Sequence, residues 1–244
     1  LAVVGRATSE VRNVDVEIIA FDVFGTLVDW RTSIAAALAR IGGRAGLRAD
    51  WPAVADSWRS LYGPTLSAVL RGEQEYQPLD ALHATMLDKV ADHYGLTELS
   101  DADRDELVHA WHQLTPWPDT VPGLTALRER YLLTPLSNGG VGLLTRLARA
   151  AGLPFDCILS AELAGSYKPD PQVYLLPSEY FDVRPAQVLM VACHPGDLQG
   201  AKRAGLRTGF VPRPLEWGPD RGAPQPPADA DVVADDLVAL AAMI

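Results

Sequence analysis

Cysteine is nearly missing from this 244-residue chain: Cys157 and Cys193 are too few and too irregularly placed to suggest a disulfide framework or a zinc site. Apolar runs are short as well, none approaching the roughly 18 residues that a membrane helix requires. Positive charge is in deficit, with 21 Lys and Arg against 31 Asp and Glu and a formal net charge of -10. Nucleic acid is a poor partner for such a surface, because phosphate binding relies on clustered Lys and Arg. The first sixteen residues, LAVVGRATSEVRNVDV, have neither the basic start nor the long apolar segment of a secretory signal, and read as a leading tail. Together these absences suggest a reduced, cytoplasmic protein without nucleic acid or membrane partners.

What is present is a globular composition, 48% hydrophobic and 21% charged. Such a length buries one large core, or one core with a smaller second domain. IIAF at 18–21 is a continuous β-branched and aromatic run of the kind that forms a strand buried on both faces. YLLTPLS at 131–137, VLMVAC at 188–193, RTGFV at 207–211 and DVVA at 231–234 repeat the pattern. Helical spacing intervenes, in Val141, Leu144, Leu147, Ala148 and Ala151 before Gly152, and in Leu198, Ala201 and Ala204 before Gly205. Strands alternating with helices imply an α/β protein with a parallel sheet. From about residue 32 to 118 the pattern is helical throughout, too long for one crossover. It reads as an inserted helical unit closed by the proline-rich PWPDTVPG at 116–123. A loop rich in Pro and Ala follows Gly218.

In a parallel sheet, ligands bind beyond the carboxyl ends of the strands, where loops and helix N-termini converge. Asp22 ends the first expected strand, Ser137 and Asn138 end the second, and Cys193, His194 and Asp197 follow VLMVA. Lys168, in SYKPDPQVY, can reach the same mouth. Each has a plainer reading: Asp22 as a loop cap, Ser137–Asn138 before two glycines as an ordinary turn, Lys168 as a solvated loop lysine. Their conjunction, each at a strand end or the loop beside it, favours a site.

Those four segments resemble the four motifs of the haloacid dehalogenase superfamily: an aspartate in DVFGTLVD, a serine in LSNG, a lysine in YKPDPQVY, and the acidic VACHPGDLQGAKRAG. The likeness spans Glu17 to Ala234. It implies a Rossmann-like core formed by residues 1–31 and 119–244, with a helical cap at 32–118.

Most members of that superfamily resemble phosphatases, whose first motif reads Asp-x-Asp because the second acid protonates a departing alkoxide. Phe24 stands there, and a phenyl ring donates no proton. Phosphatases also hold magnesium with an acid in motif four. Cys193 stands in that position when the segment is aligned on Asp197. Halide needs neither device, since it leaves as a stable anion. The pattern is therefore similar to that of 2-haloacid dehalogenases, acting without metal or cofactor on a small 2-haloacid.

The resemblance implies that Asp22 attacks C2 of the substrate, releasing halide and leaving an aspartyl ester that water then cleaves. In that scheme Lys168 keeps Asp22 ionised, while Thr26, Ser137 and Asn138 position Asp22 and the substrate carboxylate. Phe24 supplies a dry wall, and Arg59 in SWRSLY receives the halide. An ion pair for Arg59 and simple cap packing for Trp58 and Tyr62 remain open alternatives. Tyr174 supports Lys168 or the substrate, or else packs in the core. The fourth motif departs from the expected Ser-x-Asn, with Ala192 and His194 in those places, so either His194 or Asp197 serves the hydrolytic water. His83, His93, His109 and His112 show no ligand spacing and read as surface or cap packing. The competing readings are a magnesium-dependent phosphatase, a catalytically silent binding protein, and a fluoroacetate specialist. A homodimer fits the family without being legible in the residues.

Overall fold

The computed structural model describes residues 16–222 and 224–244, so all of the expected leading tail except Val16 lies outside the described residues. Buried β-branched residues form the centre of the molecule. Strand β1 (Ile18–Phe21) is at most 1% exposed along its length, because it is paired on both edges and covered on both faces. The next elements are β2 (Val28–Asp29), α1 (Trp30–Arg44), α2 (Trp51–Ser60), α3 (Tyr62–Leu70), α4 (Leu79–Tyr94), α5 (Asp101–Ala110) and β3 (Thr115–Pro116). Then come α6 (Thr120–Arg128), β4 (Leu132–Ser137), α7 (Val141–Ala151), β5 (Leu159–Ser160), α8 (Pro171–Tyr180), β6 (Val188–Ala192), α9 (Pro195–Arg203), β7 (Arg207–Phe210), β8 (Val232–Val233) and α10 (Leu237–Met243).

Six strands form one parallel sheet in the order β5-β4-β1-β6-β7-β8. The chain builds outward from β1 in one direction and then from β6 in the other. The crevice at this reversal opens beyond the carboxyl ends of β1, β4 and β6, where parallel sheets bind ligands. All five expected strands are present, and so is the Rossmann-like architecture. Cys193 falls just past β6, so it starts the loop instead of ending the strand.

Two features differ from the sequence expectation. The short β2 and β3 pair antiparallel at the root of the inserted helices, fixing the two ends of the insertion side by side. Two-residue strands carry no periodicity, so nothing in the sequence signals them. Second, PWPDTVPG is not all linker: α6 begins at Thr120, with Pro122 in its first turn, where a missing N–H costs no helical hydrogen bond. Among the described residues, no helix is long and apolar enough to cross a membrane.

A buried ion pair ties this junction to the core. Arg213, 7% exposed, makes a bidentate contact with Asp119 at 2.7 and 2.9 Å and donates to the Thr26 carbonyl at 2.8 Å. Asp119 also accepts from the amide of Leu237 at the start of α10. Removing one partner of such a pair leaves an uncompensated charge. Asp119→Ala is expected to lower stability by about 3 kcal/mol, read as a shift of the urea midpoint at unchanged slope; an unmoved midpoint would show that water replaces the carboxylate.

Candidate active site

Asp22 sits where the sheet hydrogen bonding ends: its amide still donates to Val191 at 3.0 Å, and its side chain enters the crevice. The turn that follows reverses within a few residues because Gly25 adopts φ +88°, a region open to glycine. A Cβ there would also lie 2.3 Å from Oε1 of Glu216. The glycine therefore serves both the turn and the close approach of that acid.

On one side Asp22 is held directly by Thr26 and Lys168, with Asp197, Asn138 and Tyr174 behind them. Thr26 Oγ1 donates to Oδ2 at 2.7 Å and is itself fixed by the Cys193 amide at 3.0 Å. Lys168 Nζ donates to Oδ1 at 3.1 Å and to Asp197 at 2.6 Å. Asn138 Oδ1 accepts from the Lys168 amide at 2.7 Å, which fixes the loop that delivers the lysine. Tyr174 donates to the other oxygen of Asp197 at 2.7 Å. Tyr174 reaches it because Gly200 on α9 leaves room; a Cβ would lie 2.4 Å from the phenol oxygen.

These contacts divide the two carboxylates into different states. Burial pushes the Asp22 carboxyl up, but Lys168, His194 and Thr26 outweigh it and hold the group well below the usual carboxylate range. Asp197 is raised, by burial first and by repulsion from Asp22, although Lys168 and Tyr174 pull against this. Burial works against the Lys168 charge, yet Asp197 and Asp22 more than offset it and keep the ammonium protonated. One charged carboxylate, one cation and one more basic carboxyl thus stand in a row.

His194 occupies the other side of Asp22. Its Nδ1 lies 3.0 Å from Asp22 Oδ2, and its Nε2 lies 3.0 and 3.1 Å from the two oxygens of Glu216. Burial opposes a charged ring, but the sulfur of Cys193 and the carboxylates of Asp22 and Glu216 raise its pKa well above the usual imidazole value. Burial holds Cys193 as a neutral thiol, so the net negative charge facing the ring comes from the two carboxylates. With a proton on each nitrogen, His194 is a donor at neutral pH.

Glu216 was not anticipated from the sequence. It lies beyond β7 in PLEWG, outside every motif, and only the fold brings it to the crevice. Its carboxylate is 2% exposed and also accepts from the Trp30 indole at 3.1 Å. Burial alone would raise it; His194, Arg59 and Trp30 hold it below its ordinary value.

The insertion contributes an aromatic enclosure. Arg59 lies over Tyr62 at 4.2 Å, Trp30 at 5.6 Å and Phe24 at 5.9 Å, measured from guanidinium carbon to ring centre. Its Nη1 is buried and has no hydrogen-bond partner among the described residues. Among the described residues Arg59 forms no ion pair, and its guanidinium lies instead among aromatic rings. Phe24, 2% exposed, meets Trp111 edge-on, and Trp58 is wholly buried against the same indole. Tyr62 faces Asn138 and Arg59. Ser137 lies behind, 1% exposed, accepting from the Gly139 amide at 3.3 Å.

The remaining histidines separate into two kinds. His83 is buried and stacked on Trp111 with ring centres 4.4 Å apart, and burial followed by the charge of Arg59 lowers its pKa to about 3. His112 pairs with Asp80 at 3.1 Å, while His93 and His109 are exposed.

The residues present do not suit magnesium. That ion needs a hard oxygen shell in near-octahedral order. Here an ammonium lies between Asp22 and Asp197, a thiol stands at position 193, and both Asp22 oxygens are engaged by donors.

A family model described as haloacid dehalogenase-like hydrolase matches residues 16–205. The chain is 32% identical over 194 residues to (S)-2-haloacid dehalogenase 1 of Pseudomonas sp. (strain CBS-3), covering 77% of this chain and 81% of that protein. It is also 30% identical over 179 residues to a phosphoglycolate phosphatase of Thiobacillus denitrificans, covering 72% of each. The crystal structure of a defluorinating L-2-haloacid dehalogenase superposes with a TM-score of 0.90 at 44% identity, covering 93% of this chain and 94% of that one.

Proposed function

The chain belongs to the haloacid dehalogenase-like hydrolases, and on that premise we propose that it hydrolyses short 2-haloalkanoic acids to 2-hydroxy acids without a metal. The observation that carries this reading is the leaving-group side of Asp22. Position 24 holds a buried phenyl where a phosphatase needs a proton donor, and beside it Arg59 presents a buried, unpartnered N–H inside an aromatic box. That is a receptor for a small anion that departs without a proton. The similarity to dehalogenases supports the reading, and the names of those relatives favour the S (L) enantiomer.

Oδ1 of Asp22 accepts one contact at 3.1 Å, whereas Oδ2 accepts two shorter ones, so Oδ1 is the freer nucleophile. Its electron pair forms the bond to C2 as the carbon–halogen bond breaks and the halide takes the bonding pair to Arg59. Oδ2 then becomes the ester carbonyl, already hydrogen-bonded by Thr26 and His194. Those two donors stabilise the oxyanion when water adds to the aspartyl carbon. Asp197 takes the water's proton; its raised pKa moves it toward the range of an effective base. Collapse of the oxyanion expels the alkoxide of the 2-hydroxy acid, which takes up the proton held by Asp197, and the remaining water proton leaves to solvent as Asp22 returns to its carboxylate. The helices between residues 32 and 118 act as a cap whose closure brings Arg59 over the substrate and excludes water during displacement.

Similarity to a phosphoglycolate phosphatase supplies a second reading, and one experiment separates the two. Halide release from (S)-2-chloropropionate and from fluoroacetate is expected in excess EDTA, with no phosphate released from phosphoglycolate. Phosphate release that requires magnesium would overturn the dehalogenase reading. Arg59→Met, which keeps the cap packing but deletes the anion receptor, is expected to lower kcat by about 10²-fold or more; an unchanged halide release rate would remove Arg59 from the leaving-group role.

A further inference from the structure

Cys193, His194 and Glu216 form a cluster that the proposed reaction does not explain. The reaction uses Nδ1 of His194 and has no use for the Cys193 sulfur. The three outward atoms nevertheless converge: Sγ lies 3.5 Å from Nε2 and 3.7 Å from Glu216 Oε2, and Nε2 lies 3.0 and 3.1 Å from the two carboxylate oxygens. A tetrahedral zinc, with the usual Zn–S, Zn–N and Zn–O bonds, sets its ligands about 3.6 Å apart for S and N, about 3.5 Å for S and O, and about 3.3 Å for N and O. The cluster matches that triangle to within a few tenths of an ångström.

We infer that Cys193, His194 and Glu216 form a binding site for a thiophilic divalent cation of the zinc class, adjacent to Asp22. The groups that fix the ligands are those a metal site needs. His194 Nδ1 contacts the Asp22 carboxylate at 3.0 Å, the partner that usually orients a metal-bound imidazole. Glu216 is held by the Trp30 indole at 3.1 Å, and the Cys193 backbone is anchored on Thr26 at 3.0 Å. The cation replaces the thiol proton and the Nε2 proton, releasing both to solvent, and two ligand anions balance its charge. Cys193 and Glu216 are buried at 0% and 2% exposure, while the His194 side chain is 31% exposed, which leaves an entry path from solvent. Occupation takes Glu216 from His194, so the cation inhibits any reaction that depends on that pair.

The test is made on the full chain after removal of metals, and it does not depend on dehalogenation. Calorimetric titration with zinc is expected to show one saturable equivalent, and cobalt(II) is expected to give tetrahedral visible bands together with a thiolate-to-cobalt charge-transfer band. Cys193→Ala is expected to abolish the charge-transfer band and weaken zinc binding at least tenfold. Glu216→Ala is expected to weaken binding while keeping that band, and Cys157→Ala to change neither. Circular dichroism of each variant checks folding. The inference is overturned if no saturable binding occurs, or if folded Cys193→Ala binds zinc as tightly as the parent. Zinc binding without halide release would leave the site standing and sink only the proposed reaction.

Discussion

In Asp22→Asn, halide release from (S)-2-chloropropionate is expected to fall by at least about 10⁴-fold, the scale on which loss of a nucleophile acts. The amide is nearly isosteric, so Thr26 and the β1 backbone keep their places, but it carries neither the charge nor the electron pair that displaces halide. Lys168 and His194 each lose an anionic partner in the variant. Mass spectrometry during turnover is expected to show an added carboxyalkyl group on the parent and none on Asp22→Asn. The displacement step, read as the first equivalent of halide in a single turnover, should also hold well into the acid range, because the interactions of Asp22 keep it ionised below the usual carboxylate pKa. The sign follows from the direction of the shift: a depressed carboxyl keeps its anion until the pH falls through the depressed value. Substantial halide release by Asp22→Asn, with no reversion to aspartate, would assign the displacement to another group.

Much of this arrangement is legible in the sequence. Asp22, Ser137, Asn138 and Asp197 lie at or just beyond ends of apolar strands, and strand ends are set by local runs of buried residues such as IIAF and VLMVA. The sheet and its central crevice follow from the same runs. What could not be read was anything fixed by packing between distant segments. Glu216 lies on a loop after β7, 22 residues beyond His194, and is held by Trp30 at the start of α1. No local pattern marks it as an acid that turns inward. Two cysteines offer no spacing for a metal, yet the fold brings Glu216 to Cys193 and its neighbour His194. Arg59 was assignable to an anion only by resemblance; its unpartnered buried nitrogen supplies the physical reason. For His194, position alone leaves it open as a base, whereas the two carboxylates around its ring raise its pKa and support the proposed role of donor.

That difference gives the largest effect expected after the nucleophile. His194→Ala removes one of two donors on Oδ2, and the loss of one such donor costs about 10²- to 10³-fold in rate. The loss falls on ester hydrolysis, so the aspartyl ester is expected to accumulate, with a burst of halide close to one equivalent followed by slow turnover. Glu216→Gln is expected to act in the same direction more weakly, since it keeps the ring in place but removes one of its anionic partners. The pH dependence distinguishes donor from base. A histidine whose pKa is raised in the folded protein keeps its proton through neutrality and loses it only as the pH climbs through the raised value. Ester hydrolysis should therefore fall on the alkaline side through loss of the His194 proton, and Glu216→Gln should move that fall to lower pH. A general base would do the reverse, its rate rising with pH through the imidazole range. Single-turnover measurement of ester decay against pH, in the parent and in Glu216→Gln, decides between them: decay that quickens with pH through the imidazole range, and loses that rise in His194→Ala, would return His194 to the role of base.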